Sequence, residues 1–354
     1  MIRMRLHSTL TLAVLGLLWN VPAIRASEID RMWMANLAKS ERLQLRAYGQ
    51  ALSTGQMPYD GLTRMRQEMT RQGFYFEQGS ASPVAGNMHI RPLLAWDPNI
   101  NGGVLQDRFV LNDLMFEAAP AFRAKSGLVV GMSVGGLTRY AWDEGRLVEL
   151  RGATEFGWSP AHEIYRTDAI LSACSRNHLE NWNFLDLCAS SRHYWRELGT
   201  WSTYQASAEL STIVSAANSL HEISLRSSWD STEDANYSQI DITLESVWST
   251  AVTELNVAIG KRDSDPLSLY DSVSASVGWF ALGRSWNIDT RIQRSGGGRF
   301  LGIPREDRVR GLGIATNLRP ETSLRLGYLN SRSTAGTANY DQVTLDIRFD
   351  HLRW

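Results

Sequence analysis

Residues 339–354 read NYDQVTLDIRFDHLRW, and the character of the whole chain turns on this final stretch. Val343, Leu345, Ile347 and Phe349 recur at every second position, with Gln342, Thr344, Asp346, Arg348 and Asp350 between them, the period of two that a β-strand imposes. Counting back from Trp354, Leu352 is in phase with it while Asp350 and Arg348 are not, so a bulge or strand end near His351 resets the register. A soluble sandwich would bury the apolar face and solvate the other, but a soluble chain rarely stops in mid-strand on tryptophan. A membrane barrel whose last strand pairs with its first ends this way.

The same alternation runs backwards through the chain. It is cleanest in QASAELSTIVS (205–215), HEISLRSSW (221–229), QIDITLESVW (239–248), TELNVAIG (253–260), SWNIDTRIQR (285–294) and SLRLGYLN (323–330). One face of each run is apolar. The other carries Glu209, Glu222, Arg226, Asp241, Glu245, Asp289, Arg291 and Arg325. With Asp346 and Arg348 these charged positions are expected to line a lumen, and Val343, Leu345, Ile347, Phe349, Leu352 and Trp354 to close the barrel against lipid. Short connectors (217–219, 283–284, 318–322) alternate with longer ones (230–237, 261–268, 295–307), as turns and loops on opposite sides of a membrane do. Tryptophans at 96, 142, 158, 195, 201, 229, 248, 279 and 286 sit near strand ends, where interfacial girdles lie. About fifteen runs follow Asn87. Because such barrels take even strand numbers, 14 or 16 are expected, with the miscount between Val104 and Leu198.

Composition agrees. A net charge of -1 gives no field that would attract nucleic acid, so none is expected as a partner. The chain is 43% hydrophobic, and after its first residues no apolar run is long enough for a spanning helix. Residues 1–26, MIRMRLHSTLTLAVLGLLWNVPAIRA, combine Arg3 and Arg5, an apolar core from Leu10 to Trp19, and small residues before cleavage sites at Ala23 or Ala26, the form of a secretory signal peptide. Export would place Cys174 and Cys188, the only cysteines, in an oxidising compartment. A hairpin centred near Asn181 sets Cys174 opposite Cys188 and Ser172 opposite Ser190, so a cross-strand disulfide on the lumen side is expected.

Residues 27–73 have a different texture. Leu43, Ala47 and Ala51, then Leu62, Met65 and Met69, follow helical spacing, and Gly55 and Pro58 separate two pieces. This reads as a short periplasmic α-helical hairpin, joined by a polar linker (74–86) to an all-β transmembrane antiparallel barrel over 87–354. The run LRAYGQALSTGQ with the following GLTRM resembles one degenerate tetratricopeptide unit. A single such unit cannot bury its own face, so it must pack elsewhere, plug the barrel or stay loosely ordered.

The terminal aromatic with its alternating apolar residues is similar to the assembly signal of bacterial outer-membrane barrels. The first strand ends in LAWDPNINGG (94–103), and Asp97, Asn99 and Asn101, between a repeat-like helical lead and a barrel, resemble the surface lipoprotein assembly modifier family. That resemblance implies a 14-stranded outer-membrane barrel with a periplasmic repeat domain that delivers lipoproteins to the cell surface. Taken by themselves, Asp97, Asn99 and Asn101 read as a turn whose side chains bond the local backbone. Two functions are therefore expected: foremost an export or assembly module for surface-exposed proteins or lipoproteins, and alternatively a passive porin-type channel with a mixed-charge lumen. Expected partners are outer-membrane lipids, the barrel assembly machinery and an exported client.

No nucleophile elbow, HExxH or paired-cysteine metal motif occurs, and no cofactor is expected. Ser191 and His193 share a face with Asp168 nearby, but two strand positions are about 7 Å apart, long for direct proton transfer, so a hydrolase is the weakest reading. GGGRFLG (296–302) lacks the strand-then-helix setting of a phosphate loop and reads as an external loop.

Overall fold

The computed structural model describes residues 28–76, 79–105, 108–111, 114–216, 218–233, 235–262, 268–300, 303–319, 322–335 and 339–349. The leader, and Leu352 and Trp354 of the closing set, lie outside them. Three helices come first: α1 (Glu28–Ala35), α2 (Glu41–Ser53) and α3 (Tyr59–Arg71). The strands are β1 (Ser82–Asp97), β2 (Arg108–Leu111), β3 (Leu114–Glu117), β4 (Gly127–Asp143), β5 (Arg146–Ser159), β6 (Ile164–His178), β7 (Asn183–Arg196) and β8 (Gly199–Ala216). They continue with β9 (Ser219–Thr232), β10 (Asn236–Val247), β11 (Val252–Arg262), β12 (Ser268–Ala281), β13 (Arg284–Phe300), β14 (Ile303–Arg319), β15 (Thr322–Ser333) and β16 (Tyr340–Phe349).

Fourteen of these, β1 and β4 to β16, form one closed antiparallel barrel, with each strand paired to its neighbour in sequence. Closure is by β16 on β1, where Leu94 faces Ile347 and Trp96 faces Leu345. Arg348 pairs by its backbone with Leu93 and Ser323, and Phe349 with Thr322. The remaining two strands, β2 and β3, form a separate pair within the 98–126 connection. They lie inside the region, Val104 to Leu198, where an odd count was expected to break down.

The exterior is apolar where water would penalise it. Leu225, Ile242, Ile259, Ile292, Leu312 and Val343 are all exposed, from outer positions on six different strands. A continuous exposed band of this kind would be an aggregation surface in water and is the lipid-facing surface of a transmembrane barrel.

At one end of the barrel the strands are joined by connections of two to four residues, at 144–145, 179–182, 217–218, 248–251, 282–283 and 320–321. The other end carries the 98–126 connection, but its connections at 160–163, 197–198, 233–235 and 301–302 are as short, so the longer loop read over 230–237 is three residues between strands. The 295–307 stretch, read from sequence as a loop, is mostly strand: pairing resumes at Arg299 with Pro304 and Phe300 with Ile303 after a shift following Gly296. Gly297 and Gly298, with φ of 105° and 65°, absorb that bulge in a conformation that glycine adopts without a side-chain penalty.

The lead has three helices where a hairpin was read. Its first piece is interrupted before Ser40, whose hydroxyl accepts the Leu43 amide at 3.0 Å and so starts a new helix. The first barrel strand begins at Ser82, within the stretch read as linker.

Candidate functional site

The helices sit in the barrel mouth opposite the 98–126 connection. Met34, Ala35, Ala38, Leu43 and Ala47 pack on Phe184, Ile213, Leu220, Val247 and Val252, residues from the ends of five neighbouring strands. The amphipathic face that a lone repeat unit leaves open is thus covered by the barrel wall. At the edge of this contact the Gly145 amide donates to the Gly73 carbonyl at 2.9 Å, and the Phe74 ring lies edge-on to His178.

Polar ties surround the apolar seat. Glu245 accepts the backbone N–H groups of Lys39 at 2.6 Å and Ser40 at 3.1 Å, just ahead of α2. Arg42 donates to Asp186 at 2.5 Å and to Ser211 at 3.1 Å, with its guanidinium 4.2 Å from the centre of the Phe184 ring. Lys39 pairs with Glu254, and Gln50 donates to Ser215 at 2.8 Å. On the opposite wall Arg139, only 1% exposed, donates to Glu149 at 2.7 Å and to Glu41 of α2 at 2.6 Å. Glu149 also accepts from Arg176 at 3.1 Å and Arg151 at 3.3 Å. Arg71 of α3 completes the set with bonds of 3.0 Å to Glu41 and 3.1 Å to Glu68. Burial pushes the Glu41 carboxyl up, but Arg139, aided by Arg71 and Arg176, outweighs it and holds the group below its ordinary value. For Glu68 burial wins over Arg71 and the carboxyl is raised.

The charged positions read from sequence fall into two groups. In the first, Arg226 stands opposite Glu209 on one side and Asp241 on the other, and Glu245 stands between Glu222 and Glu254. A cavity of about 570 Å³ under α2 is lined by Glu209, Glu222, Arg226 and Glu245 from this group. In the second, on β13 to β16, Arg325 donates to Asp289 at 2.9 Å. Arg325 also pairs in register with Asp346, and Arg291 lies across from Gly311. The Arg325–Asp289 bond crosses the intervening strand over Gly313, where a Cβ would come within 2.7 Å of the Asp289 carboxylate.

Cys174 and Cys188 are disulfide-bonded with a Cα separation of 4.1 Å, and Ser172 pairs with Ser190, in the register expected of that hairpin. Asp97, Asn99 and Asn101 build the turn after β1: Asp97 accepts the Asn99 amide at 2.8 Å, Asn99 donates to the Gly103 carbonyl at 2.8 Å, and fully buried Asn101 bonds the Arg123 carbonyl and the Lys125 amide. Asp97 also takes Arg166 and Arg196 as counter-ions. Ser191, His193 and Asp168 do not assemble. Asp168 is held by Arg192, while His193 bonds the Ser202 hydroxyl at 3.0 Å, and alternation puts positions 191 and 193 on the other face from 192. Trp201, read as an interfacial residue, instead borders a cavity with Asp97, Arg166 and Arg192.

Sequence reasoning did not find Arg139, Glu149, Glu41 or Arg42. A signal for the first two exists: a hairpin turning at Glu144 and Gly145 sets Arg139 opposite Glu149. The last two gain their role from contacts across more than ninety residues, which no local pattern carries.

Fold and lumen together define a 14-stranded transmembrane β-barrel with a helical plug in one mouth. Among solved structures it is similar to OpdK of Pseudomonas aeruginosa with vanillate, at 10% identity and a TM-score of 0.41 over 76% of this chain and 98% of that one. It is also similar to OccK3 (OpdO) of the same organism, at 11% identity and a TM-score of 0.41 over 75% and 95%. OccAB3 of Acinetobacter baumannii follows at 5% identity and a TM-score of 0.40 over 77% and 100%. No family model matches the chain, and no curated protein matches it. The likeness to the surface lipoprotein assembly modifiers therefore has no family match behind it.

Proposed function

We propose that the protein is a porin-type diffusion channel of the bacterial outer membrane, with its helical lead acting as a plug at the periplasmic mouth. The observation that carries this is the inner face of the closed barrel, which is built of ion pairs and small side chains rather than an apolar core. The solute route runs along β13 to β16, where Gly311, Gly313, Ala315 and Gly327 alternate with outward residues and the Asp289–Arg325 pair borders the passage. The polar ties of the helices go to β4, β7, β8, β10 and β11, away from that route.

The export reading took the helical lead as its main support. The face that a client would have used is packed on Phe184, Leu220 and Val247, so the alternative, a channel, is the better account of this fold. In the channel orientation, the plug faces the periplasm and the 98–126 connection faces outward.

Planar bilayers decide the matter. Wild-type protein is expected to give steady ohmic steps, larger in a Leu43→Asp variant that loosens the plug. Absence of current from both would overturn the reading.

A further inference from the structure

The wall under α2 violates a rule of sheet energetics. Asp186 stands directly opposite Glu209, Glu222 opposite Glu245, and Glu245 opposite Glu254, so like charges face each other across three strand pairs. Directly opposed like charges destabilise a sheet. Part of the load is met by the plug: Lys39 pairs with Glu254, Arg42 with Asp186, and the Lys39 and Ser40 amides with Glu245.

Two carboxylates have no ion pair among the described residues. Glu209 has no hydrogen bond or ion pair among the described residues, since Arg226 opposite it donates to Gln205 at 2.7 Å. Glu222, only 8% exposed, is hydrogen-bonded to the Ser40 and Ser211 side chains, yet its Oε2 has no hydrogen-bond partner, and it lines the same cavity of about 570 Å³. A buried carboxylate oxygen left unpaired is costly, so the site is built for a donor it does not itself supply.

The arrangement selects among cations. Among the described residues no three acidic, histidine or cysteine side chains converge to hold a metal ion. The carboxylates are strung over five adjacent strands, an arc of roughly 19 Å at about 4.8 Å per strand. Several cationic centres on one flexible chain match an arc, and a point charge does not. The plug already shows the principle, since Lys39 and Arg42 present an ammonium and a guanidinium, three residues apart, to its two ends.

We propose that this arc is a binding site for a linear polyamine, a solute whose ammonium groups are separated by short methylene chains, in competition with Lys39 and Arg42. As the place where a permeating solute is held, it rests on the channel reading, but binding itself needs no current.

The test is calorimetric titration of spermidine into the full-length protein folded in detergent, at constant ionic strength, with magnesium chloride as the control cation. Saturable binding is expected for spermidine and not for magnesium. Glu209→Gln with Glu222→Gln should weaken it about tenfold or more, the loss of charge-assisted hydrogen bonds. That variant relieves like-charge repulsion and is expected to keep heat-modifiable migration on gels. Lys39→Ala with Arg42→Ala, which removes the internal competitors, should tighten binding. Equal heats from magnesium, no spermidine binding, or undiminished binding in the double glutamine variant would each overturn the site. Protein that conducts but does not bind spermidine would sink this proposal alone, and protein that binds but never conducts would sink the channel reading alone.

Discussion

Arg139 concentrates the physics of the plug in one side chain. It is 1% exposed and joins a wall carboxylate, Glu149, to a plug carboxylate, Glu41. Without Arg139, Glu149 keeps Arg176 and Arg151 and Glu41 keeps Arg71, so what is lost is the buried charge-assisted bond between wall and plug, about 1.5–3 kcal/mol. Arg139→Met should therefore undock the helices while the barrel stays closed. Limited trypsin digestion would show it, as cleavage within 28–73 of a protein that still migrates as a folded species; resistance equal to wild type would refute the role. The same cluster fixes a pH dependence. Glu41 has its carboxyl depressed on docking, so its contribution is present above the ordinary carboxylate value and is lost as pH falls through the depressed one. Glu68 has the opposite sign: burial raises its carboxyl, its protonated form docks better, and docking weakens as pH rises through the raised value. Trypsin resistance of the plug should then be greatest between the two, with Glu68→Gln reducing the decline on the alkaline side.

At the level of elements, the strands were legible and the seat of the plug was not. Alternation in 239–248 or 323–330 comes from lipid on one side and water on the other, two solvents that act on each strand alone, so each strand shows its faces without knowing its neighbours. The Cys174–Cys188 hairpin was legible for a related reason, because its two halves are joined by a tight turn at Asn181, which has a φ of 56°. The helices of 28–71 also displayed an apolar face, but what covers it lies at Phe184, Ile213, Leu220, Val247 and Val252, and nothing local in α2 names those positions. A separate pair such as β2 and β3 can share the periodicity of a wall hairpin, so alternation alone does not count wall strands. The disulfide hairpin carries its own prediction. Its cysteines are separated by 14 positions, and closing a loop of that size constrains the unfolded chain by about 3 kcal/mol. Cys174→Ser with Cys188→Ser should fold, because the backbone pairing of β6 and β7 is complete without it, but should lose its boiling-resistant fraction at a lower temperature. An unchanged melting profile under reducing and oxidising conditions would show that the bridge adds nothing.

At the scale of the molecule the charges are divided by position. Asp186, Glu209, Glu222, Glu245 and Glu254 gather on β7 to β11, and Arg139, Arg151 and Arg176 on β4 to β6. The plug lies between the two and supplies Lys39 and Arg42 to the acidic side and Glu41 to the basic one. Removing it should change not only how much current passes but which ion carries it. Without residues 28–76 the lumen loses two cations from its acidic arc, and Arg139 retains Glu149 as counter-ion. The acidic side is then the less compensated, and a charged constriction favours the counter-ion of its uncompensated charge. A protein lacking 28–76 is therefore expected to show larger steps in planar bilayers than the full chain and a reversal potential in a potassium chloride gradient shifted toward cation preference. Glu209→Gln with Glu222→Gln in the same background should reduce the shift. The exposed apolar rim at Phe184, Ile213 and Leu220 makes a gel check for the heat-modifiable barrel essential before currents are compared. A barrel folded without its plug, with conductance and selectivity equal to those of the full chain, would show that the helices do not obstruct the path of ions.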